Sequence, residues 1–244
     1  MKQIRILFIV FLLTTISMTF WLSIPTYAQN SSNVTHGIGL FGGYENNTLS
    51  PDKDFELGDL DNDGDIDIVN MFRVSLNDGQ AIFTTLENFN SNYSSRHIAL
   101  GDIDNDNDLD AIITLSASNS GQIWLNDGNG NFALDTKQKL GNGGDDVVVA
   151  DLNGDNHLDI FVEGEQRSKP LVWLNDGTGL FTPLTQPIYI VGLDSDGIAL
   201  GDLDGDDDLD VFISASSNDG SRVLLNDGTG IYSPTNQVLD DGIF

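Results

Sequence analysis

The chain has 244 residues, 39% of them hydrophobic, which is enough to bury a sizeable core in one domain or a small repeat array. It contains no cysteine, so disulfides and thiolate metal sites are excluded. Its 38 acidic residues against 10 basic ones give a net charge of -28, which argues against nucleic acid as a partner and favours a cation.

The N-terminus predicts export. A short basic start precedes an apolar run from Ile6 to Leu22, and Thr26-Tyr27-Ala28 forms a small-x-small cleavage site. We predict a signal peptide over 1–28 and a linker over 29–36. The alternative is an uncleaved anchor helix, because the apolar run is long for a signal. No other segment is long and apolar enough to span a membrane, so we expect a secreted, extracellular or cell-envelope protein with no stable membrane span after signal removal.

An acidic motif occurs four times within residues 37–244 and dominates the sequence. Its copies occupy the loops 59–67, 102–110, 151–159 and 202–210. Intervals of about 40–50 residues suit one four-stranded propeller blade per copy. A second motif, Leu-Asn-Asp-Gly, follows each loop, and Asn-Asp-Gly between apolar runs is a tight-turn signal. Each second motif leads to an aromatic residue, namely Phe83, Phe132, Phe181 or Tyr232.

The segments between these motifs are short apolar runs rich in β-formers, and none has the length and 3.6-residue period of an amphipathic helix. Each unit therefore predicts a strand, the acidic loop, a strand, the Asn-Asp-Gly turn, a strand, a further loop and an outer strand. The residue before each loop is small, which fits an inner strand crowded by its neighbours. These residues are Gly58, Gly101, Ala150 and Gly201. We predict an all-β fold, a β-propeller of about four blades.

The loops carry oxygen donors at positions 1, 3, 5 and 9, counted from the first aspartate. These donors are Asp59, Asp61, Asp63 and Asp67; Asp102, Asp104, Asp106 and Asp110; Asp151, Asn153, Asp155 and Asp159; and Asp202, Asp204, Asp206 and Asp210. Oxygen ligands without cysteine indicate a hard cation, and we predict about four Ca²⁺ ions, one in each loop. Position 7 is predicted to offer its backbone carbonyl and is occupied by Asp65, Asp108, His157 and Asp208.

Two further loop positions have predicted structural roles. Position 6 must turn the chain round the ion and carries residue types that tolerate a left-handed backbone, namely Gly64, Asn107, Asn156 and Asp207. Positions 2 and 8 are always apolar and are predicted to anchor the loop on a core. These residues are Leu60 and Ile66, Ile103 and Leu109, Leu152 and Leu158, and Leu203 and Leu209.

The alternatives to this calcium loop are a solvated acidic turn and an EF-hand. A solvated acidic turn that binds nothing would bring like charges together, at a cost of about 4 kcal/mol for two charges about 4 Å apart at an effective dielectric constant of about 20. An EF-hand needs a bidentate glutamate at position 12 and flanking helices. Position 12 is instead occupied by Asn70, Ile113, Val162 and Ile213, within strand-like runs, so the EF-hand interpretation fails.

These motifs resemble the FG-GAP and VCBS-type repeats of integrin-α-like β-propellers. The Leu-Asn-Asp-Gly-x-Gly-x-Phe string over Leu125–Phe132 and Leu174–Phe181 is typical of the VCBS-like branch. The resemblance implies a calcium loop between two strands of each blade, with side-chain ligands at positions 1, 3, 5 and 9 and a carbonyl ligand at position 7. The Gly-Ala-Pro element of the family is absent and Asn153 replaces an aspartate, so an integrin-type adhesion role is not inferred.

The function that we expect is a non-enzymatic extracellular binding or adhesion module in which calcium rigidifies the blade hairpins. Its partner would be an extracellular protein or a glycan. The alternative is a calcium-dependent, lectin-like carbohydrate-binding propeller or a non-catalytic part of a polysaccharide-active enzyme. Trp124 and Trp173 are the candidates for stacking on sugars, but blade-to-blade packing is the favoured explanation of both. The sequence offers no nucleophile motif, and His97 is predicted to precede an inner strand.

The extent of the propeller is left open. Phe41 precedes the first loop as the other aromatics precede theirs, which predicts an outer strand near the mature N-terminus. Ile243 and Phe244 resemble the approach to a further loop. The array is therefore either a four-bladed ring closed by its terminal strands or part of a longer propeller. An incomplete propeller would expose apolar faces and self-associate.

Overall fold

The computed structural model describes residues 54–70, 73–87, 89, 95–115, 120–142, 144–164, 170–185, 188, 195–215 and 220–239. The predicted signal peptide, the linker and the strand predicted near Phe41 lie outside these residues, as do Ile243 and Phe244.

The described residues form four antiparallel sheets and no helix. Sheet 1 consists of β1 (Phe55–Gly58), β2 (Asp67–Asn70), β3 (Arg73–Asn77) and β4 (Phe83–Glu87). Sheet 2 consists of β5 (Ser95–Gly101), β6 (Asp110–Leu115), β7 (Ser120–Asn126) and β8 (Phe132–Leu134), and β9 (Leu140–Asn142) also pairs with β7. Sheet 3 consists of β10 (Gly144–Ala150), β11 (Asp159–Gly164), β12 (Leu171–Asn175) and β13 (Phe181–Pro183). Sheet 4 consists of β14 (Ser195–Gly201), β15 (Asp210–Ala215), β16 (Ser221–Asn226) and β17 (Tyr232–Leu239).

Each sheet repeats one strand order and one register. The acidic loop joins the first two strands, and its last aspartate pairs with the small residue before the loop, as Gly58 pairs with Asp67 and Gly101 with Asp110. The Asn-Asp-Gly turn joins the last two strands, and its asparagine pairs with the aromatic residue, as Asn126 does with Phe132. The predicted all-β fold is confirmed. The predicted order of elements is wrong in one respect, because two strands rather than one separate the acidic loop from the Asn-Asp-Gly turn, and a single strand follows the turn. The short extra strand β9 was not predicted.

The sheets stack in chain order, with one hydrophobic cluster at each junction. The cluster between sheets 1 and 2 contains Leu60 and Trp124. The cluster between sheets 2 and 3 contains Ile103, and the cluster between sheets 3 and 4 contains Leu152 and Phe161. Each of the two middle sheets is therefore covered on both faces, which agrees with the continuous apolar runs of their strands, such as β6, which is buried along its whole length. Closure of the stack into a propeller ring stays a prediction.

Two of the predicted anchor residues are exposed, and both lie at the ends of the stack. At position 2, Leu60, Ile103 and Leu152 are at most 2% exposed, whereas Leu203 is 52% exposed. At position 8, Ile66 is 54% exposed, while its counterparts in the other loops pack against a core cluster. The anchor prediction is thus wrong for Leu203 and Ile66. Position 2 packs on the following sheet and position 8 on the preceding one, so each end of the stack leaves one anchor uncovered.

Candidate metal centre

The backbone of each acidic loop turns twice through the left-handed region. In the first loop Asn62 and Gly64 have φ values of 60° and 93°. The corresponding positions 4 and 6 of the other loops also have positive φ, at Asn105, Asn107, Gly154, Asn156, Gly205 and Asp207. The prediction for position 6 is confirmed. Position 4 was missed, although its asparagine and glycine residues were the available signal, since these types adopt positive φ most readily.

Backbone amides hold the carboxylates at positions 1 and 5 inside the loop. Asp59 accepts hydrogen bonds from the amides of Asp63 and Gly64 at 3.2 and 3.0 Å. Asp63 in turn accepts from the amide of Asp65 at 2.9 Å. The other three loops repeat these bonds. The loop's own amides therefore orient these side chains.

The aspartate at position 9 is the most buried of the predicted ligands and joins the loop to the third strand. Asp67 is fully buried, and its two carboxylate oxygens accept from the amides of Leu60 at 2.8 Å and Asn77 at 2.7 Å. The other three loops repeat both bonds. Burial raises the pKa of Asp110 to about 7 and that of Asp159 to about 6, although these hydrogen bonds oppose the shift.

Three groups of aspartates could hold a metal ion, because each group offers three carboxylate oxygens within 4.8 Å of one another. The groups are Asp59, Asp61 and Asp67; Asp102, Asp104 and Asp110; and Asp202, Asp204 and Asp206. Within the described residues the third loop offers no such triad of acids, since Asn153 replaces an aspartate there. The structure thus brings together positions 1 and 3 in three loops, with position 9 in two of them and position 5 in the other.

The position 3 carboxylates are the clearest indication of a cation site. The Oδ1 atoms of Asp61 and Asp104 are buried and have no hydrogen-bond partner among the described residues. Burial, followed by the negative charges of Asp67 and Asp63, raises the pKa of Asp61. Burial, followed by the charges of the neighbouring acids of its loop, raises the pKa of Asp104. A buried carboxylate oxygen without a partner is costly, so both residues fit a cation that would satisfy them.

The side chain at position 7 lies outside these groups and packs on the glycine of the Asn-Asp-Gly turn. A Cβ on Gly128 would lie 2.7 Å from the carboxylate oxygens of Asp108, and a Cβ on Gly177 would lie 2.5 Å from Cε1 of His157. Asp65 and Asp208 occupy the same place in their units. This arrangement is compatible with the prediction that position 7 contributes a carbonyl, because its side chain is directed to the turn.

The asparagine of the turn connects neighbouring sheets, a role that the sequence analysis missed. The side chain of Asn175 is 3% exposed, and its Nδ2 donates to the carbonyl of Ile103 in the preceding loop at 2.7 Å and to that of Leu158 in its own loop at 3.0 Å. Asn126 and Asn226 likewise donate to the position 2 carbonyls of the preceding loops. The only local signal of this contact was that asparagine recurs at this position, and the preference of asparagine for tight turns already explained the recurrence.

Neighbouring loops also contact each other directly. Nδ2 of Asn62 donates to Oδ1 of Asp108 at 2.6 Å. Nδ2 of Asn105 donates to the carbonyl of Gly177 at 2.8 Å and lies 3.2 Å from Nδ1 of His157. Position 4 of one loop therefore contacts position 7, or its turn, in the next unit. The third loop has no side chain to repeat this contact, because Gly154 occupies its position 4.

A separate polar cluster lies where the inner strands of three sheets meet. His97 belongs to β5 rather than preceding it, which corrects the sequence prediction. Its Nδ1 is 3.3 Å from Oδ2 of Asp54 and 3.4 Å from Oδ1 of Asp146. Glu56 is 7% exposed beside them. Burial, with the charges of Asp54 and Asp146, raises its pKa to about 8.

The tryptophans are packing residues. Trp124 is 6% exposed and meets Phe89 edge-on with ring centroids 5.2 Å apart. Trp173 is half-buried and packs against the cluster between sheets 2 and 3. The favoured prediction of packing between sheets is therefore confirmed for Trp124, and its enclosed ring is not available for stacking on a sugar.

Comparison with known families identifies the repeat. Residues 110–162 and 164–213 match the FG-GAP-like repeat. These two segments are FG-GAP-type repeats. The two matched segments contain the third and fourth acidic loops, and the first two units share their strand order, register and loop hydrogen bonds. Comparison with curated proteins gave no significant match.

FG-GAP repeats are typical of extracellular proteins and suggest an extracellular binding module. The part of the chain that the structure describes contains no helix long and apolar enough to cross a membrane.

Proposed function

We propose that this protein is a secreted calcium-binding module that acts by binding or adhesion rather than catalysis. Each of its four loops would take one Ca²⁺ ion, and the sheets would form the blades of a β-propeller. The observation that carries the proposal is the pair of buried, unpartnered oxygens on Asp61 and Asp104, each in a group of three carboxylates.

The donor set fits calcium better than other metals. The described loops offer carboxylate, amide and carbonyl oxygens without thiolates, and Ca²⁺ takes six to eight such ligands in flexible geometry. The ligands would be the side chains at positions 1, 3, 5 and 9 with the carbonyl at position 7. Bound calcium would neutralise the carboxylates and lock the hairpin that carries them, so the module would be rigid only where calcium is abundant. Affinities of about 10⁻⁴–10⁻³ M, as in other extracellular modules, are expected.

Two matched substitutions in the second loop test this proposal. Asp104→Asn removes a charge from the carboxylate group, whereas Asp108→Asn removes a charge from a side chain that packs on Gly128. We expect Asp104→Asn to raise the melting temperature of the calcium-free protein, because repulsion falls, and to reduce the further rise on adding calcium. Asp108→Asn should keep most of the calcium-induced rise.

Differential scanning calorimetry with and without chelator, and calcium titration by isothermal calorimetry, provide the measurements. A wild-type melting temperature insensitive to both calcium and chelator would overturn the proposal. Equal effects of the two substitutions would show that the charge of the whole loop, and not the carboxylate group, determines the response.

The partner that we propose is an extracellular protein or glycan. Burial of Trp124 removes one candidate sugar-stacking surface, which favours a protein partner. Binding to a glycan array in calcium that is lost in chelator would instead support the lectin-like alternative.

A further inference from the structure

Neighbouring sheets pack against each other through the same kind of junction, which occurs three times within the chain. Each of the two end sheets presents an uncovered face that corresponds to one side of such a junction. The first end face belongs to sheet 1 and contains Phe55, Leu57 and Ile66, which are 37%, 54% and 54% exposed. Residues at the same repeat positions in sheet 2 are covered by sheet 1. Ile98 is 1% and Leu100 is 6% exposed there, and both lie in the cluster between the two sheets.

The second end face belongs to sheet 4 and contains Ala199, Leu203 and Phe212. Leu203 is 52% exposed, Ala199 is exposed and Phe212 is half-buried. The same repeat positions in sheet 2 are covered by sheet 3, since Ile103 and Ile112 are fully buried there. The chain thus exposes apolar positions at its ends that it buries at every internal junction.

We propose that the second end face of one copy of this chain docks on the first end face of another copy, so that the internal junction is repeated head to tail between molecules. Such a contact is heterologous, because different faces of the two copies meet. Its repetition produces a ring where the rotation between copies closes and an open filament where it does not.

The glycine before each loop supports this choice of occupant. A Cβ on Gly58 would lie 2.6 Å from Cδ1 of Leu109, and a Cβ on Gly101 would lie 2.8 Å from Cδ1 of Leu158, so the position 8 side chain of the next sheet fills this space. At Gly201 the nearest atom is 3.8 Å away and belongs to Leu203 of the same sheet. The space before the fourth loop can therefore receive the position 8 residue of an incoming sheet, and Ile66 is the exposed residue of that kind.

The hydrogen bonding of the turn asparagines agrees with this docking. Asn126, Asn175 and Asn226 each donate to a position 2 carbonyl in the preceding sheet. Asn77 occupies the same place in sheet 1, and within the described residues its Nδ2 donates to the carbonyl of Ile66 in its own loop and to no other sheet. In the docked pair Asn77 would face the carbonyl of Leu203 in the other copy.

Charge opposes the association, because each copy carries a net charge of -28. Calcium in the loops would reduce this repulsion, and that part of the argument rests on the proposed function. High salt screens the same repulsion without calcium. Association in high salt with chelator therefore tests the docking faces alone, and association in calcium tests them together with the metal sites.

The experiment uses the full chain and measures mass by light scattering after size exclusion, over a wide range of concentration, in calcium and in high salt with chelator. The variants are Leu57→Asp on the first end face and Leu203→Asp on the second. Leu180→Asp is the matched control, because Leu180 is also 52% exposed and lies in neither end face. All three change the charge equally at exposed positions, so folding should survive, as circular dichroism would verify.

We expect the wild type and Leu180→Asp to associate as concentration rises. Leu57→Asp and Leu203→Asp should each stay monomeric over the same range, with association weakened by at least about a hundredfold, since a carboxylate would be buried without a partner. An equimolar mixture of these two variants should form a one-to-one dimer, because each retains the face that the other has lost.

Three results would overturn the proposal. The wild type could stay monomeric in both buffers at every concentration, as when another segment or another protein covers these faces. Either end-face variant could associate like the wild type, which would place the contact elsewhere or make it symmetric. The mixture could stay monomeric although the wild type associates, which would exclude a head-to-tail contact. If the wild type associates in high salt with chelator but its melting temperature does not respond to calcium, the docking stands and the calcium proposal fails.

Discussion

Replacing Asn175 by alanine tests the bond between neighbouring sheets. Its side chain makes four hydrogen bonds in a buried site. Nδ2 donates to the carbonyls of Ile103 and Leu158 at 2.7 and 3.0 Å, and Oδ1 accepts from the amides of Gly177 and Gly179, both at 3.1 Å. Alanine keeps none of them and leaves backbone groups unsatisfied where water has little access.

The expected loss is large relative to the stability of a domain. Each hydrogen bond contributes about 0.5–1.5 kcal/mol net, and an unsatisfied buried partner costs about 1–3 kcal/mol. Allowing for relaxation, we expect Asn175→Ala to lower the free energy of unfolding by roughly 3–5 kcal/mol, out of about 5–15 kcal/mol for a typical domain. Asn77→Ala is the matched control, since Asn77 bonds to Ile66, Gly79 and Ala81 at an exposed site and to no other described sheet. It should cost about 1 kcal/mol, because water can replace its bonds.

Urea unfolding in saturating calcium, followed by circular dichroism and tryptophan fluorescence, measures both losses. With a slope of about 1–3 kcal/mol/M, the midpoint for Asn175→Ala should fall by at least about 0.7 M relative to that for Asn77→Ala. Equal midpoints for the two variants would refute the reasoning, because they would show that the bond to the preceding sheet adds nothing to the turn itself.

Three further predictions concern protons and coupling between loops. Since the pKa of Glu56 rises from 4.5 to about 8, the folded protein holds this proton more tightly and should lose roughly 5 kcal/mol of stability as the pH rises from about 4.5 to about 8. Glu56→Gln should remove that loss in pH-dependent melts, and parallel profiles of the variant and the wild type would contradict it. Calcium affinity should fall as pH drops below about 7 and about 6, because protons compete at Asp110 and Asp159, so equal titrations at high and low pH would exclude them as ligands. Asn105→Ala should reduce the cooperativity of calcium binding, because it removes the bond to the turn of the next unit. Asn129→Ala should not, because it loses only the bond from Nδ2 to the carbonyl of Asp127 in its own turn.

Sequence reasoning reached the features that depend on short spacings. The acidic loop could be predicted because the left-handed residue at position 6 and the alternating aspartates lie within nine residues. Turn chemistry predicted the hairpin at each Asn-Asp-Gly motif. It did not reach features that depend on position in the stack. Ile66 and Leu203 look like their repeat counterparts, and only the absence of a neighbouring sheet among the described residues exposes them. His97 meets Asp54 and Asp146 only because inner strands of three sheets converge, which no local pattern encodes.

The turn asparagines have a consequence for the order in which the chain matures. The carbonyl of Leu60 in the first loop is held by Asn126, 66 residues later, and the carbonyl of Ile103 in the second loop is held by Asn175, 72 residues later. In a chain that emerges N-terminus first, each of these loops would appear before the turn asparagine that donates to its position 2 carbonyl. The first three acidic loops would therefore complete their hydrogen bonding only after the next sheet has formed, in order from the N-terminal end of the array.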